Sequence, residues 1–141
     1  EFLHSQAAVV VVADDNPLSE RKEISVEDIK NVPVIGFPKR SRPILHEMLW
    51  DSFRHRGWQP NVVCEVIDKS TMLQLVAHGI GIALIPAWVQ SLSPKGLKFV
   101  PYRESVREID LYISYRTAGN AKEVLAFINA VKHVNEETSR Y

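Results

Sequence analysis

The run AAVVVVA at residues 7–13 constrains the fold more than any other stretch of this chain. Four consecutive valines show no alternation of apolar and polar residues, so a strand here has both faces buried rather than one. β-Branched side chains also suit the pleat of a sheet better than a helix. A strand buried on both faces needs a layer on each side. The sequence Asp14-Asp15-Asn16-Pro17 directly after it is a turn signal and ends the strand.

The rest of the chain supplies those layers. Residues 34–37 (VIGF) predict a second strand, broken by Pro38. Pro43 suits a first helical position, and Leu45, Met48, Leu49 and Phe53 come after it at helical spacing until Gly57 ends the helix. Residues 62–67 (VVCEVI) form a third strand, after which Ser70 can cap a helix running through Leu73 and Val76 to Gly79. Residues 82–85 make a fourth strand ended by Pro86, with a short helix carrying Trp88 and Leu92 beyond it. Two further strands are expected at residues 97–102 and 109–116. Asn120 with Glu123 then opens a final helix whose apolar face is Val124, Phe127, Ile128 and Val131. Upstream, Ser25-Val26-Glu27-Asp28 has the form of a capping box for a short helix stopped by Pro33. Strands alternating with helices predict an α/β layer with a largely parallel sheet.

Bulk properties narrow the classes. A chain of 141 residues can bury roughly 70% of its unfolded surface, so a core needs no disulfide or metal staple. The longest apolar runs, residues 7–13 and 80–89, are too short to span a bilayer. Residues 1–4 do not have the form of a secretory signal, and a lone Cys64 fits a reducing compartment, so a cytoplasmic location is expected. Lys plus Arg equals Asp plus Glu at 17 each, which excludes the global basic field behind non-specific nucleic-acid binding.

The Gly-x-Gly at Gly79-Ile80-Gly81 suggests a phosphate cradle, but its polarity is wrong. Phosphate-binding glycines come after a strand and open a helix; here a helix ends and a strand begins. Gly79 reads instead as a left-handed helix C-cap, and Gly81 as a close backbone passage into a buried strand.

Two other junctions have the right polarity, strand to helix. One is Gly36-Phe37-Pro38-Lys39-Arg40-Ser41-Arg42-Pro43 and the other Val66-Ile67-Asp68-Lys69-Ser70-Thr71. Open α/β sheets bind ligands outside the carboxyl ends of their strands, where helix dipoles favour anions. The cations Lys39, Arg40 and Arg42 suit a small carboxylate-bearing ligand. A solvated basic loop explains the first junction as well, and simple N-capping by Asp68 or Ser70 explains the second.

For catalysis the sequence offers little. Cys64 sits mid-strand as a packed thiol, Asp14-Asp15 reads as a turn, and His4, His46, His55, His78 and His133 lack metal-ligand spacing. Neither an enzyme nor a metal or cofactor is expected. Trp50 and Trp58 flank Arg54 and Arg56, yet Trp50 shares a helix with core positions, so packing is its expected role.

The order of motifs resembles a known family. Asp15-Asn16-Pro17-Leu18-Ser19, then Ile35-Gly36-Phe37-Pro38-Lys39 with Arg42-Pro43, then Phe53 with Gly57 and Pro60, and finally Gly79-Ile80-Gly81-Ile82-Ala83-Leu84-Ile85-Pro86 are similar to the effector-binding domain of LysR-type transcriptional regulators. The Phe-Pro-Lys-x-x-Arg-Pro piece is similar to the subgroup responding to muconate and other aromatic-catabolism products.

That resemblance implies a fold like a type II periplasmic binding protein, with Rossmann-like lobes, a mixed, largely parallel sheet, helices on both faces and an effector in the cleft between lobes. It implies that residues 5–102 are the second regulatory lobe and residues 103–137 the returning strand and helix of the first, with 138–141 a tail. On this reading the rest of the first lobe, and the domain that contacts DNA, lie outside the chain. Ile109 to Ile113 and the face of Val124, Phe127 and Val131 would then be apolar surface open to association. Carried over by position, the effector-binding residues are Phe37, Pro38, Arg42, Ile67, Asp68 and Ser70. The implied partners are a small carboxylate effector and, in a full-length protein, copies of itself in a dimer or tetramer. A transport solute-binding protein of the same fold is the alternative.

Overall fold

A computed structural model of the protein describes residues 1–104, 108–116 and 121–138. Its strands are β1 (Phe2–Gln6), β2 (Ala8–Ala13), β3 (Pro33–Gly36), β4 (Asn61–Glu65), β5 (Ala83–Pro86), β6 (Leu97–Pro101) and β7 (Ile109–Tyr112). Its helices are α1 (Pro43–Arg54), α2 (Lys69–Ala77) and α3 (Ala121–Thr138). The chain divides into two compact units, Ala7–Glu108 and Glu1–Gln6 with Ile109–Tyr141.

The larger unit is built around β2, every residue of which is buried. Its side chains alternate between two cores. Ala8, Val10 and Val12 pack with Ile24, Leu49, Phe53, Ile82 and Tyr102, whereas Val9 and Val11 pack with Ile35, Met72, Leu73, Val76 and Ile85. The first core lies under α1 and the second under α2, so the expected helices on both faces are present. β2 lies between β5 and β6 and runs antiparallel to both. β3 and β4 pair in parallel, and a parallel bridge between Val34 and Ile82 joins them to β5. The strand order is therefore β6-β2-β5-β3-β4. The sheet is mixed: β5, β3 and β4 run parallel, and a further parallel bridge joins Ile24 to Tyr102 just beyond β6. The correction to a largely parallel sheet concerns β2, because apolar pattern reports burial and says nothing about a partner strand's direction.

Gly79 ends α2 with φ near +75°. The Ile80 amide donates to the Leu75 carbonyl and the Gly79 amide to that of Val76, which is the Schellman closure. Gly81 then passes against β3 so closely that an added Cβ would lie 2.7 Å from the Pro33 carbonyl oxygen. Both expectations for this stretch hold.

The box at Ser25 also forms: the Ser25 amide donates to Asp28 Oδ2 at 2.9 Å, and the Asp28 amide returns to Ser25 Oγ at 3.4 Å. The residues after the box form a run of turns rather than the expected helix, with Ile29 donating to Val26 and Val32 to Ile29. Pro33 arrives too soon for a helical ladder to establish itself. The Asp28 carboxyl is held below its ordinary value of 3.8, first by the Ser25 amide and then by the Ser25 hydroxyl and Arg21, against the opposing effect of burial. A depressed carboxylate contributes stability above its ordinary value and loses it as pH falls through the depressed one. Urea midpoints measured from pH 7 to pH 2 are expected to drop below about pH 4, with part of that drop missing in Asp28→Asn.

The smaller unit pairs β1 antiparallel with β7, and α3 adds a hydrogen bond from Asn135 to the Leu3 carbonyl and an ion pair between Lys132 and Glu1 at 2.7 Å. β1 was not expected as a strand. Among the described side chains of α3, Ile128 is the fully buried one, Val124 and Val131 are half-buried, and Phe127 is 62% exposed. The expected packing face is thus centred on Ile128, with Phe127 outside it. Leu111 and Tyr112 of β7 are also exposed. The Asn120 cap and the tail at 139–141 lie outside the described residues.

Candidate functional site

Because β3 and β4 are parallel neighbours in register at Gly36 and Glu65, both chains leave the sheet on the same side. The Val66 amide donates to the Gly36 carbonyl at 3.0 Å and extends the pairing into the two junctions. From there the first junction folds back into a closed turn. The Arg42 amide donates to the Pro38 carbonyl at 2.9 Å, and His46 Nδ1 lies 3.0 Å from the Phe37 carbonyl oxygen. Pro43 starts α1, and its N-cap, Arg42, makes no side-chain cap. The Arg42 side chain instead turns toward the second junction, where Nε donates to the Ile67 carbonyl at 3.4 Å.

The second junction is capped by its own acid. Asp68 Oδ2 accepts from the Thr71 amide and hydroxyl, each at 2.8 Å. These bonds, the amide first, hold the Asp68 carboxyl below its ordinary range. Of the two caps expected, Asp68 or Ser70, the cap of α2 is Asp68. A carboxylate before Lys69 reaches the third amide beyond it, whereas Ser70 already lies within the first turn.

Of the six residues expected to contact an effector, Pro38 is half-buried and Arg42, Ile67, Asp68 and Ser70 are exposed at these two adjacent helix starts. Phe37 differs: its side chain is 3% exposed and packs in the core with Met72 and Val76. Lys69, which sequence reasoning passed over, belongs to the same cluster. Its Nζ lies 5.7 Å from the centre of the Phe37 ring and 5.5 Å from that of Trp88. Burial, and then the like charge of Arg42, push its ammonium below the ordinary value, while Asp68 opposes both. The signal in the sequence was a cation at the first position of a helix, where the dipole disfavours it. Lys39 is drawn away to Glu47 at 3.5 Å.

The other candidates have structural surroundings. Cys64 is half-buried on β4, Asn16 accepts from the Leu18 amide in the turn after β2, and Trp50 and Trp58 pack against the first core. His55 and His78 bond to carbonyls one turn back in or beside their helices. Among the described residues no three metal-ligating side chains gather, and no helix is long and apolar enough to cross a membrane.

Chemically, the arrangement offers a patch with two cations at paired helix starts and one exposed ring, Trp88, beside them, suited to an anion with an apolar body. The model of the LysR substrate binding domain matches residues 1–136. The transcriptional regulator TtuA of Agrobacterium vitis is 33% identical over 99 residues, covering 70% of this chain and 33% of TtuA. The regulator BenM of Acinetobacter baylyi is 24% identical over 135 residues, 94% of this chain and 44% of BenM. The chain thus spans a third to just under half of these relatives. Among solved structures, the BenM effector-binding domain with benzoate superposes with a TM-score of 0.76 at 21% identity, covering 98% of this chain and 63% of that one. The effector-binding domain of QuiR with shikimate gives 0.72 at 24%, covering 97% and 66%. At these identities the superpositions establish the fold, which is that of these effector-binding domains.

Proposed function

We propose a function on the premise that the chain belongs to the LysR substrate-binding domain family. The chain senses a small carboxylate-bearing effector, aromatic or dicarboxylic, on behalf of a LysR-type transcriptional regulator. The effector sits at the paired helix starts, with the Arg42 guanidinium and the Ser70 hydroxyl toward its carboxylate and Pro38 and Ile67 along its edge, while Phe37 backs the site from the core and Asp68 holds the start of α2. The observation that carries this reading is the Arg42 to Ile67 hydrogen bond, which draws the two junctions into one patch. Benzoate and shikimate, bound by two relatives of the same fold, are both carboxylates. The relatives named above are transcriptional regulators, which favours the regulator over a transport protein.

In the full-length protein, DNA contact falls to residues outside these, and the working form is a homo-oligomer in the cytoplasm. Effector binding acts by favouring one of two arrangements of the protein, as any ligand with differential affinity must. Calorimetric titration with benzoate, shikimate and the neutral analogue benzamide tests the assignment. The two acids are expected to bind saturably and benzamide not to bind. Arg42→Gln, losing a charge-assisted hydrogen bond, is expected to weaken the acids about tenfold or more. Absence of binding by every carboxylate tried would overturn the reading.

A further inference from the structure

We propose that Lys69 is the principal charge partner of the effector's carboxylate, with Trp88 walling the effector's body, so that the favoured ligand is a carboxylate carried on a flat apolar ring. This rests on the carboxylate reading above and sharpens it to a ligand shape and to two residues outside the expected set.

Three features of Lys69 work against the fold and are explained by a ligand. It occupies the first position of α2, where the helix dipole repels a cation. Burial and then the like charge of nearby Arg42 depress it, and the adjacent Asp68 carboxylate, which opposes them, is already committed to the Thr71 amide and hydroxyl. Its ammonium carries three donors, yet among the described residues it makes no hydrogen bond and lies only over the rings of Phe37 and Trp88. A half-buried cation with no hydrogen bond among the described residues, beside a second cation and a carboxylate whose acceptor is taken up in capping α2, is completed by an anion. A position that breaks a local rule without a structural return is where function is expected.

The body of the ligand can be read from the flank. Trp88 is 41% exposed and Ile67 is 54% exposed, and both adjoin the cations, Trp88 beside Lys69 and Ile67 through the carbonyl that Arg42 binds. Apolar surface against an ammonium suits a ring that lies on the indole while its carboxylate reaches Nζ. Acetate has the charge without the ring and benzamide has the ring without the charge, so the two analogues separate the contributions.

The test is titration of the protein, Lys69→Gln, Lys69→Arg and Trp88→Leu with benzoate and acetate, alongside their thermal midpoints. Lys69→Gln is expected to lose about tenfold to a hundredfold in benzoate affinity. Its midpoint should be unchanged or higher, because a repelled cation has been removed. Lys69→Arg is expected to retain most of the affinity, and Trp88→Leu to narrow the advantage of benzoate over acetate. If the unaltered protein binds shikimate but neither benzoate nor acetate, this inference falls and the carboxylate reading stands; if it binds no carboxylate at all, both fall. If it binds benzoate and Lys69→Gln binds equally well, this inference alone is overturned. A Lys69→Gln chain that unfolds, or a Lys69→Arg chain as weak as the Gln variant, also overturns it, since Lys69 would then serve packing or shape rather than charge.

Discussion

Phe53→Ala is expected to destabilise the protein by about 3–5 kcal/mol, the cost typical of emptying a fully enclosed aromatic site. Phe53 has no exposed surface and stands in the core formed by Val10, Leu49, Ile82 and Tyr102, beneath α1. Two effects add: the ring's transfer free energy is lost, and the rigid sheet on one side prevents the cavity from collapsing. Set against a typical domain stability of about 5–15 kcal/mol, this is enough to leave a sizeable unfolded population. Urea unfolding followed by tryptophan fluorescence measures it directly. Phe53→Leu, which keeps most of the volume, is expected to cost well under half as much, and equal losses for the two variants would contradict the packing account.

Gly81→Ala has the second large effect, from the opposite cause. The new methyl would lie 2.7 Å from the carbonyl oxygen and 3.0 Å from the carbonyl carbon of Pro33, and a backbone cannot rotate aside as a side chain can. The collision falls where β5 meets β3, at the bonds from the Ile35 amide to the Ile82 carbonyl and from the Ile82 amide to the Pro33 carbonyl. Overpacking costs about 1–3 kcal/mol, and a backbone clash belongs at the upper end, equivalent to roughly 10 °C in thermal midpoint. Gly79→Ala, two residues earlier, meets nothing within 4 Å and suffers only its positive φ, so about 1 kcal/mol is expected there. A calorimetric scan of both variants should rank Gly81→Ala as the more damaging; the reverse order would contradict the close approach.

Those two glycines illustrate what was legible in the sequence. Local rules with one reading, such as a helix, then a glycine, then an apolar strand, carried straight through to the Schellman closure and the buried β5. The valine run likewise implied two cores because burial of both faces has no other local cause. Features that depended on distant partners were not legible. β1 (FLHSQ) has no apolar alternation and is a strand only because β7, over a hundred residues later, pairs with it. The antiparallel run of β2 is set in the same way by partners far along the chain.

The candidate site divides similarly. The two strand-to-helix junctions were visible from polarity and charge, and their place in successive units on one sheet edge suggested a shared crevice; the contact that joins them, Arg42 reaching the Ile67 carbonyl across neighbouring β3 and β4, was not legible. Between the two expected caps, Asp68 rather than Ser70 caps α2 because the acid stands one residue before the helix begins. Lys69 was passed over because a lysine at a helix start reads as ordinary surface until two rings and a second cation are seen around it.

The claim that these junctions form one carboxylate site is tested most directly by backbone hydrogen exchange with and without saturating benzoate. Slowed exchange is predicted for amides at residues 37–42 and 67–71 together, with the rest of β2, β5 and β6 unchanged. Protection confined to one junction, or found only elsewhere in the chain, would contradict it.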